Sequence, residues 1–506
     1  IFAENYTVSS SVTNVQISSV SGSTNSGDSL DDTHQFTGSL HITASRVELD
    51  DGKNNVAIGK KAHEDITTGE WGVAVGYQAG KNITTGYYNT LVGYNAGATL
   101  VDDNNNVLIG FKAGESSVAS NTVAIGFEAI KGSVTTGANG TVAIGYQAGL
   151  SLTSGPRQTF IGYQAGYSSA TGQENVFIGY QAGYSETDGA GNIYIGKQVA
   201  YNIGDGGYNV AIGEEAMKST GTAANNHATY NVAIGNQAGY NLTTGDYNVF
   251  LGSRAGYGTT TVQGNIAIGF DAMKVHTTGA RNIAIGYGAM DDTDAGSTSL
   301  GSVDNIFIGY DAGGGTWTDA ASSYNVGIGN YVMDSALDGA TYNTAVGWVA
   351  LSSVTTGDHN TTLGYRAGNG LTTGLYNVII GSQAGDAASI GNYHVLIGAF
   401  AGTSINSGDA DGTVAIGYQA GQILTSGIGS TAIGYQALFS ATENDYNTAV
   451  GNRALYSISG SSGTEGEGNT AVGRYAGYST TTGNSNIFVG NGAGYANTTG
   501  IYNNFI

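Results

Sequence analysis

The phrase IGYQAG stands at Ile144–Gly149 and again at Ile161–Gly166, within TVAIGYQAGLSLTSGPRQTFIGYQAGY, residues 141–167. Toward the other end, residues 412–438 read GTVAIGYQAGQILTSGIGSTAIGYQAL. Aligned on the glycine after the aliphatic residue, the pattern recurs 25 times between Gly59 and Gly490, and 16 of the 24 spacings are 17 residues. The residue before that glycine is Ile, Val or Leu in every copy. Ala stands three residues after it in 23 copies, Val199 and Val332 being the exceptions, and Asn stands four before it in 18. A weaker phrase, Thr-Thr-Gly, recurs nine times, as at Thr243–Gly245 and Thr372–Gly374.

These regularities translate into a fold. In NVAIG the alternation is the period-2 signature of a strand with one buried face, and it predicts Val56 and Ile58 turned inward with Ala57 outward. The glycine permits a tight bend, and the Ala that follows marks a place with little room. A second short strand and the Thr-Thr-Gly turn are expected to close one coil. A helix is excluded because glycine punctuates every repeat and no 3.6-residue stripe spans the gaps. A coil of 17 residues cannot bury its own apolar side, so coils must stack, each strand pairing in parallel with its counterpart one coil away. The expected fold class is all-β, a parallel β-solenoid or β-roll rod of about 25 coils. At ~4.8 Å per strand it would be roughly 120 Å long.

Residues 51–506 carry the repeat; residues 1–50 are rich in Ser and Thr, lack the glycine phrase, and alternate only in places, as at His41–Leu49. They are expected to be a β-rich lead-in or linker. Longer segments such as Met290–Asp304 and Gly313–Tyr324 are expected to bulge outward while the repeat resumes in phase. The chain opens at Ile1 and stops inside YNNFI, where the next repeat glycine falls due, which suggests part of a longer product.

Composition narrows the function. With 84 Gly but no every-third-residue pattern, collagen is excluded. At 40% apolar residues and 33 Tyr, the chain has enough hydrophobic matter to fold. A net charge of −22 argues against nucleic acid or an anionic membrane as partner. The absence of Cys excludes disulfides and thiolate chemistry. No stretch of 18 apolar residues predicts membrane insertion.

Among candidate sites, the residue after the repeat glycine is aromatic in 14 copies, including Tyr77, Tyr94, Phe111, Phe127, Tyr146, Tyr163 and Tyr180 in succession. Stacked coils would set these in a ladder, for packing between coils or subunits or for contact with a glycan. Ile144, Gly145 and Ala148, with Ile161, Gly162 and Ala165, are the structural positions of the repeat. The seven His, at 34, 41, 63, 227, 276, 359 and 394, have no metal-ligand spacing and read as scattered surface residues. Asp102 with Asp103, Asp291 with Asp292 and Asp294, and Asp409 with Asp411 read as solvated acidic loops, lacking a calcium-loop phrase. Rows of Thr from the Thr-Thr-Gly phrase could also form an ice-facing array. No catalytic residues, metal or cofactor are expected, and the chain reads as a non-enzyme.

The phrase N-x-A-I-G-x-x-A resembles the repeat of trimeric autotransporter adhesin heads, in which three chains form parallel β-rolls. The pairing of NVAIGNQAG (Asn231–Gly239) with Thr243–Gly245, and of NTTLGYRAG (Asn360–Gly368) with Thr372–Gly374, is similar to Gly-, Asn- and Thr-rich repeats of phage tail fibres. Phe36–Ser45 also resembles short β segments of such fibres. The resemblance covers about residues 51–506. It implies a homotrimer, a structural shaft and host attachment, at a virion or a cell surface, with a surface receptor or glycan as partner. An extracellular adhesin or filament subunit of the same architecture is the alternative.

Overall fold

The computed structural model describes residues 52–293, 301–318, 320–406, 411–459 and 465–506. The expected lead-in, residues 1–50, lies outside the described residues.

Each coil contributes one strand of three residues, from Val56–Ile58 through Ile487–Val489, and a two-residue strand follows at Asn504–Phe505. Every strand pairs in parallel and in register with that of the next coil. Val142 opposes Thr159, Ala143 opposes Phe160 and Ile144 opposes Ile161. The register survives the 23-residue spacing, where Ile283 opposes Ile306. The 26 strands of the described residues thus form one sheet. The expected parallel solenoid with a 17-residue repeat is what the chain adopts.

Among the described residues the expected second strand of a coil does not form. After the strand, Gly162, Gln164 and Gly166 take φ of 138°, 52° and 59°, which curls the backbone too tightly for an extended segment. Bonding between coils nevertheless continues through these turns. Gln164 N donates to Tyr146 O at 2.8 Å, Gly149 N to Ala165 O at 2.9 Å, and Thr153 N to Ala170 O at 2.9 Å. The repeat glycine itself is enforced by close approach: a Cβ on Gly162 would lie 2.3 Å from Gly179 O.

A buried amide ladder closes each coil. Asn265 Nδ2 donates across the coil to Gly279 O at 2.7 Å, and its Oδ1 accepts from the backbone N–H of Asn282, one coil on, at 2.7 Å. The same pair of bonds recurs at Asn343 and Asn360. Gln158 takes the Asn role at its own level, accepting from Asn175 N at 3.2 Å and reaching Gly172 O.

The expected facing of the strand is corrected by the structure. In the first described coil Ala57 and Ile58 are both exposed, but in every later three-residue strand the middle residue is buried and the residues either side face outward. Ala143 is 0% exposed and Ile144 36%. A period-2 pattern has two faces and does not say which is inside. The narrow coil accepts only one inward side chain per strand.

That inner residue shares its space with the residue four after the repeat glycine. Where the strand centre is Leu91, Leu108, Phe160, Phe177, Phe250, Phe307, Ile379, Leu396 or Phe488, the partner position is glycine. Where the partner is Ile130, Met217, Met273, Met290, Met333, Leu351, Leu438 or Leu455, the strand centre is Ala or Gly. A Cβ on Gly166 would meet the Phe160 ring at 2.5 Å, so the two positions fill one volume.

Insertions are absorbed without loss of register, partly as short 3-10 turns at Thr136–Ala138 and Ala223–Asn225. The segment expected to bulge at Gly313–Tyr324 instead turns Trp317 into the core. Its Nε1 donates to Gly313 O at 3.1 Å, and its ring stands edge-on to Phe307 at 5.9 Å. Of Met290–Asp304, Met290 is buried and residues 294–300 lie outside the described residues.

The shared volume yields a test by double substitution. Ala267→Phe should overpack against Met273 and destabilise by about 1–3 kcal/mol. Adding Met273→Gly should restore most of that loss in chemical denaturation, because Phe with Gly is the combination other coils use. Additive losses would contradict the shared volume.

Candidate interaction surfaces

The seven rings from Tyr77 to Tyr180 stand in one stack, with successive centroids 5.0–5.2 Å apart and interplanar angles of 7–14°. Each is 38–46% exposed. Because each ring covers the face of the next, the interior of the ladder presents edges and hydroxyls outward rather than open ring faces. A flat sugar would meet that rim. Just past Tyr180 the column continues as an ion pair, Lys197 Nζ to Glu214 Oε1 at 2.7 Å.

Two further ring columns were not singled out in the sequence. One lies five residues after the repeat glycine, where Tyr167, Tyr184 and Tyr201 stack at 4.9 Å. The other lies five before it, where Tyr324, Tyr342, His359 and Tyr376 stack at 4.8–4.9 Å. The signal was available as Tyr recurring at 17-residue offsets in weaker phrases such as GYNV and GDYN.

Of the structural positions, Gly145 and Gly162 form the close-packed row, Ala148 and Ala165 are buried, and Ile144 and Ile161 lie on the outer face. The first threonine of the phrase binds within the rod, Thr243 Oγ1 donating to Thr260 O at 3.0 Å and Thr372 Oγ1 to Ser389 O at 2.8 Å, while the second, Thr244 or Thr373, is exposed.

The reading of all seven His as surface residues is corrected. His63, His276 and His394 are buried, at positions that other coils fill with Gly, an aliphatic residue and Asn; each is an inward-facing slot of the repeat. His276 Nδ1 lies 2.7 Å from Thr293 Oγ1. His227 is exposed and pairs with Asp205, and His359 belongs to a ring stack. His34 and His41 lie outside the described residues.

The acidic segments are more ordered than solvated loops. Asp103 is buried, and burial, then Asp102, raises its pKa. Asp411 accepts from Asn392 N at 2.7 Å and Asn392 Nδ2 at 3.1 Å. Asp292 Oδ2 accepts from Thr316 Oγ1 at 2.7 Å. Asp294 and Asp409 lie outside the described residues. Asp291 and Asp334 are both pushed up to about 6, by burial first and then by the charge of Asp311. Among the described residues, no group of three or more His, Cys, Asp or Glu converges as metal ligands would.

Glu186 is enclosed, with burial raising its carboxyl well above the usual range. It accepts from Gly189 N at 2.7 Å and faces the Tyr194 hydroxyl at 3.5 Å. A cavity of ≈ 240 Å³ is lined by Thr187, Gly204, Asp205, Ala223, Ala224 and His227. That is below the ~300–1,000 Å³ of small-molecule sites, and the Thr187 hydroxyl is already donated to Gly204 O at 3.0 Å.

Among the described residues, no helix is long and apolar enough to cross a membrane. No protein-family model matches the chain, and no curated protein matches it in sequence. The fold itself is a parallel β-solenoid consistent with repeat-rich fibrous proteins of the extracellular kind.

The perturbed groups make stability depend on pH in two opposed ways. The folded state protonates Asp291 and Asp334 near 6, while the unfolded chain waits until about 3.8, so stability rises as pH falls through that window. His394, pushed down to about 4 by burial against an ordinary 6.5, works the other way, and stability falls as pH drops from 6.5 toward 4. Asp291→Asn with Asp334→Asn should therefore reduce the gain on acidification, and His394→Asn should reduce the loss, read as denaturation midpoints from pH 7 to 4. Profiles parallel to the unmodified protein would contradict these assignments.

Proposed function

We propose that the chain is a structural fibre shaft that holds an attachment element at a distance from a virion, in the manner of a tail fibre, and so supports host attachment. The observation that carries this reading is the single in-register sheet, continuous through every insertion. A repeat that tolerates inserts of up to six residues without breaking register is selected for length. The work is mechanical: no catalytic step, cofactor or metal enters it.

The rod is read as one of three identical chains, the stoichiometry implied by the resemblance to adhesin heads and tail fibres. The compartment is extracellular, at the virion or cell surface, and the partner at the far end is a host receptor or glycan. A cell-surface adhesin or filament subunit is the second reading, supported by the same architecture. The two differ in what adjoins the shaft, a chaperone or tip sequence in the first and a secretion or anchoring domain in the second.

Negative-stain electron microscopy of the purified segment tests the shaft directly. Straight rods of roughly 120 Å are expected from ~4.8 Å per coil. Compact or bent particles would contradict a spacer role.

A further inference from the structure

The outer face of the sheet is as uniform as its inner face is variable. The residue three before the repeat glycine is Val, Ile or Thr in all 25 coils, and the residue just before it is Ile, Val or Leu in all 25. Between them the inner residue ranges from Gly327 to Tyr194. Folding requires the inner slot to be filled, which variable residues do in compensating pairs. It does not require an uncharged outer face with one column wholly Ile, Val or Leu and the other β-branched, seven of its 25 residues being Thr, where a solvated sheet face alternates to polar residues.

Neither column contains a charged residue, although the chain carries a net charge of −22. The columns remain open in the single chain: Ile144, Ile234 and Ile328 are among the exposed large apolar residues. Counting ~3.3 Å per residue across and ~4.8 Å per coil along, the two strand columns span a strip of roughly 7 by 120 Å, about 800 Å². Apolar patches on monomeric proteins rarely exceed a few hundred Å². A stable complex needs about 800 Å² from each partner, which the strip matches.

We infer that this outer sheet face is a seam along which a second copy of this chain packs. A globular partner would cover part of the strip and leave the rest in water. Another rod of the same repeat has the same length and the same ~4.8 Å step, so each coil meets an equivalent coil. The aliphatic and Thr columns of one chain then pack against those of its neighbour, coil for coil, whether two or three chains share the seam. The inference rests on the fibre reading and adds to it the face and the partner.

The chain has no cysteine, so a single introduced thiol reports on one place. Ile144→Cys and Ile433→Cys place it on the seam at two heights, and Thr244→Cys places it on an exposed turn. A short bis-maleimide should link copies through positions 144 and 433, in like or mixed pairs, but not through 244. Light scattering on the unmodified protein should give the mass of at least two chains, and Ile161→Glu with Ile178→Glu should lower it. Cross-links at 244 alone, or a mass of one chain, would overturn the seam. One-chain rods of full length would leave the shaft reading standing, whereas compact one-chain particles would remove both.

Discussion

The structure depends on one buried side chain doing two jobs. In an ordinary sheet, backbone groups at strand ends turn to water. Here the strand is three residues long, so its ends lie inside the rod, and an unpaired buried N–H or C=O costs about 1–3 kcal/mol. An Asn amide answers both needs: its Nδ2 reaches the Gly carbonyl across the coil, and its Oδ1 receives the N–H of the next coil, as at Asn343. No apolar residue can do this. The ladder tolerates other residues at the same place, Thr413 among them, whose Oγ1 reaches Gly427 O at 3.2 Å.

Glycine sets the second limit. Coil follows coil so closely that the glycine row admits no Cβ, and the left-handed turns after it curl the chain back on itself. Together these fix a coil too narrow for two inward side chains per strand. The trade between strand centre and turn follows from that narrowness, as does the display of Val and Ile on the outside. The ring ladders have the same origin, since identical residues at a fixed step stack on their own kind. With their faces mutually covered, they stiffen the rod and leave a rim of hydroxyls.

Much of this was legible in the sequence. Period, coil number, parallel pairing and the persistence of register through insertions follow from spacing alone, because register depends only on where the phrase resumes. The facing of the strand was not, since alternation is symmetric between two faces. The size exchange between Phe160 and Gly166, against Ala211 and Met217, was the signal that distinguishes them. The buried histidines were hidden for a related reason: isolated His residues look incidental until the repeat position each occupies is known. Trp317 could not have been placed from the repeat, because it belongs to an insertion.

The amide ladder is tested most directly by hydrogen exchange on Asn265→Ala compared with Asn236→Ala, a polar residue outside the ladder. Loss of Asn265 leaves the Asn282 N–H and the Gly279 carbonyl without their partners. At about 1–3 kcal/mol for each orphaned group, protection around Asn282 should fall by roughly a hundredfold, with little change for Asn236→Ala. Equal, small effects from the two substitutions would show that the rod stands without the ladder.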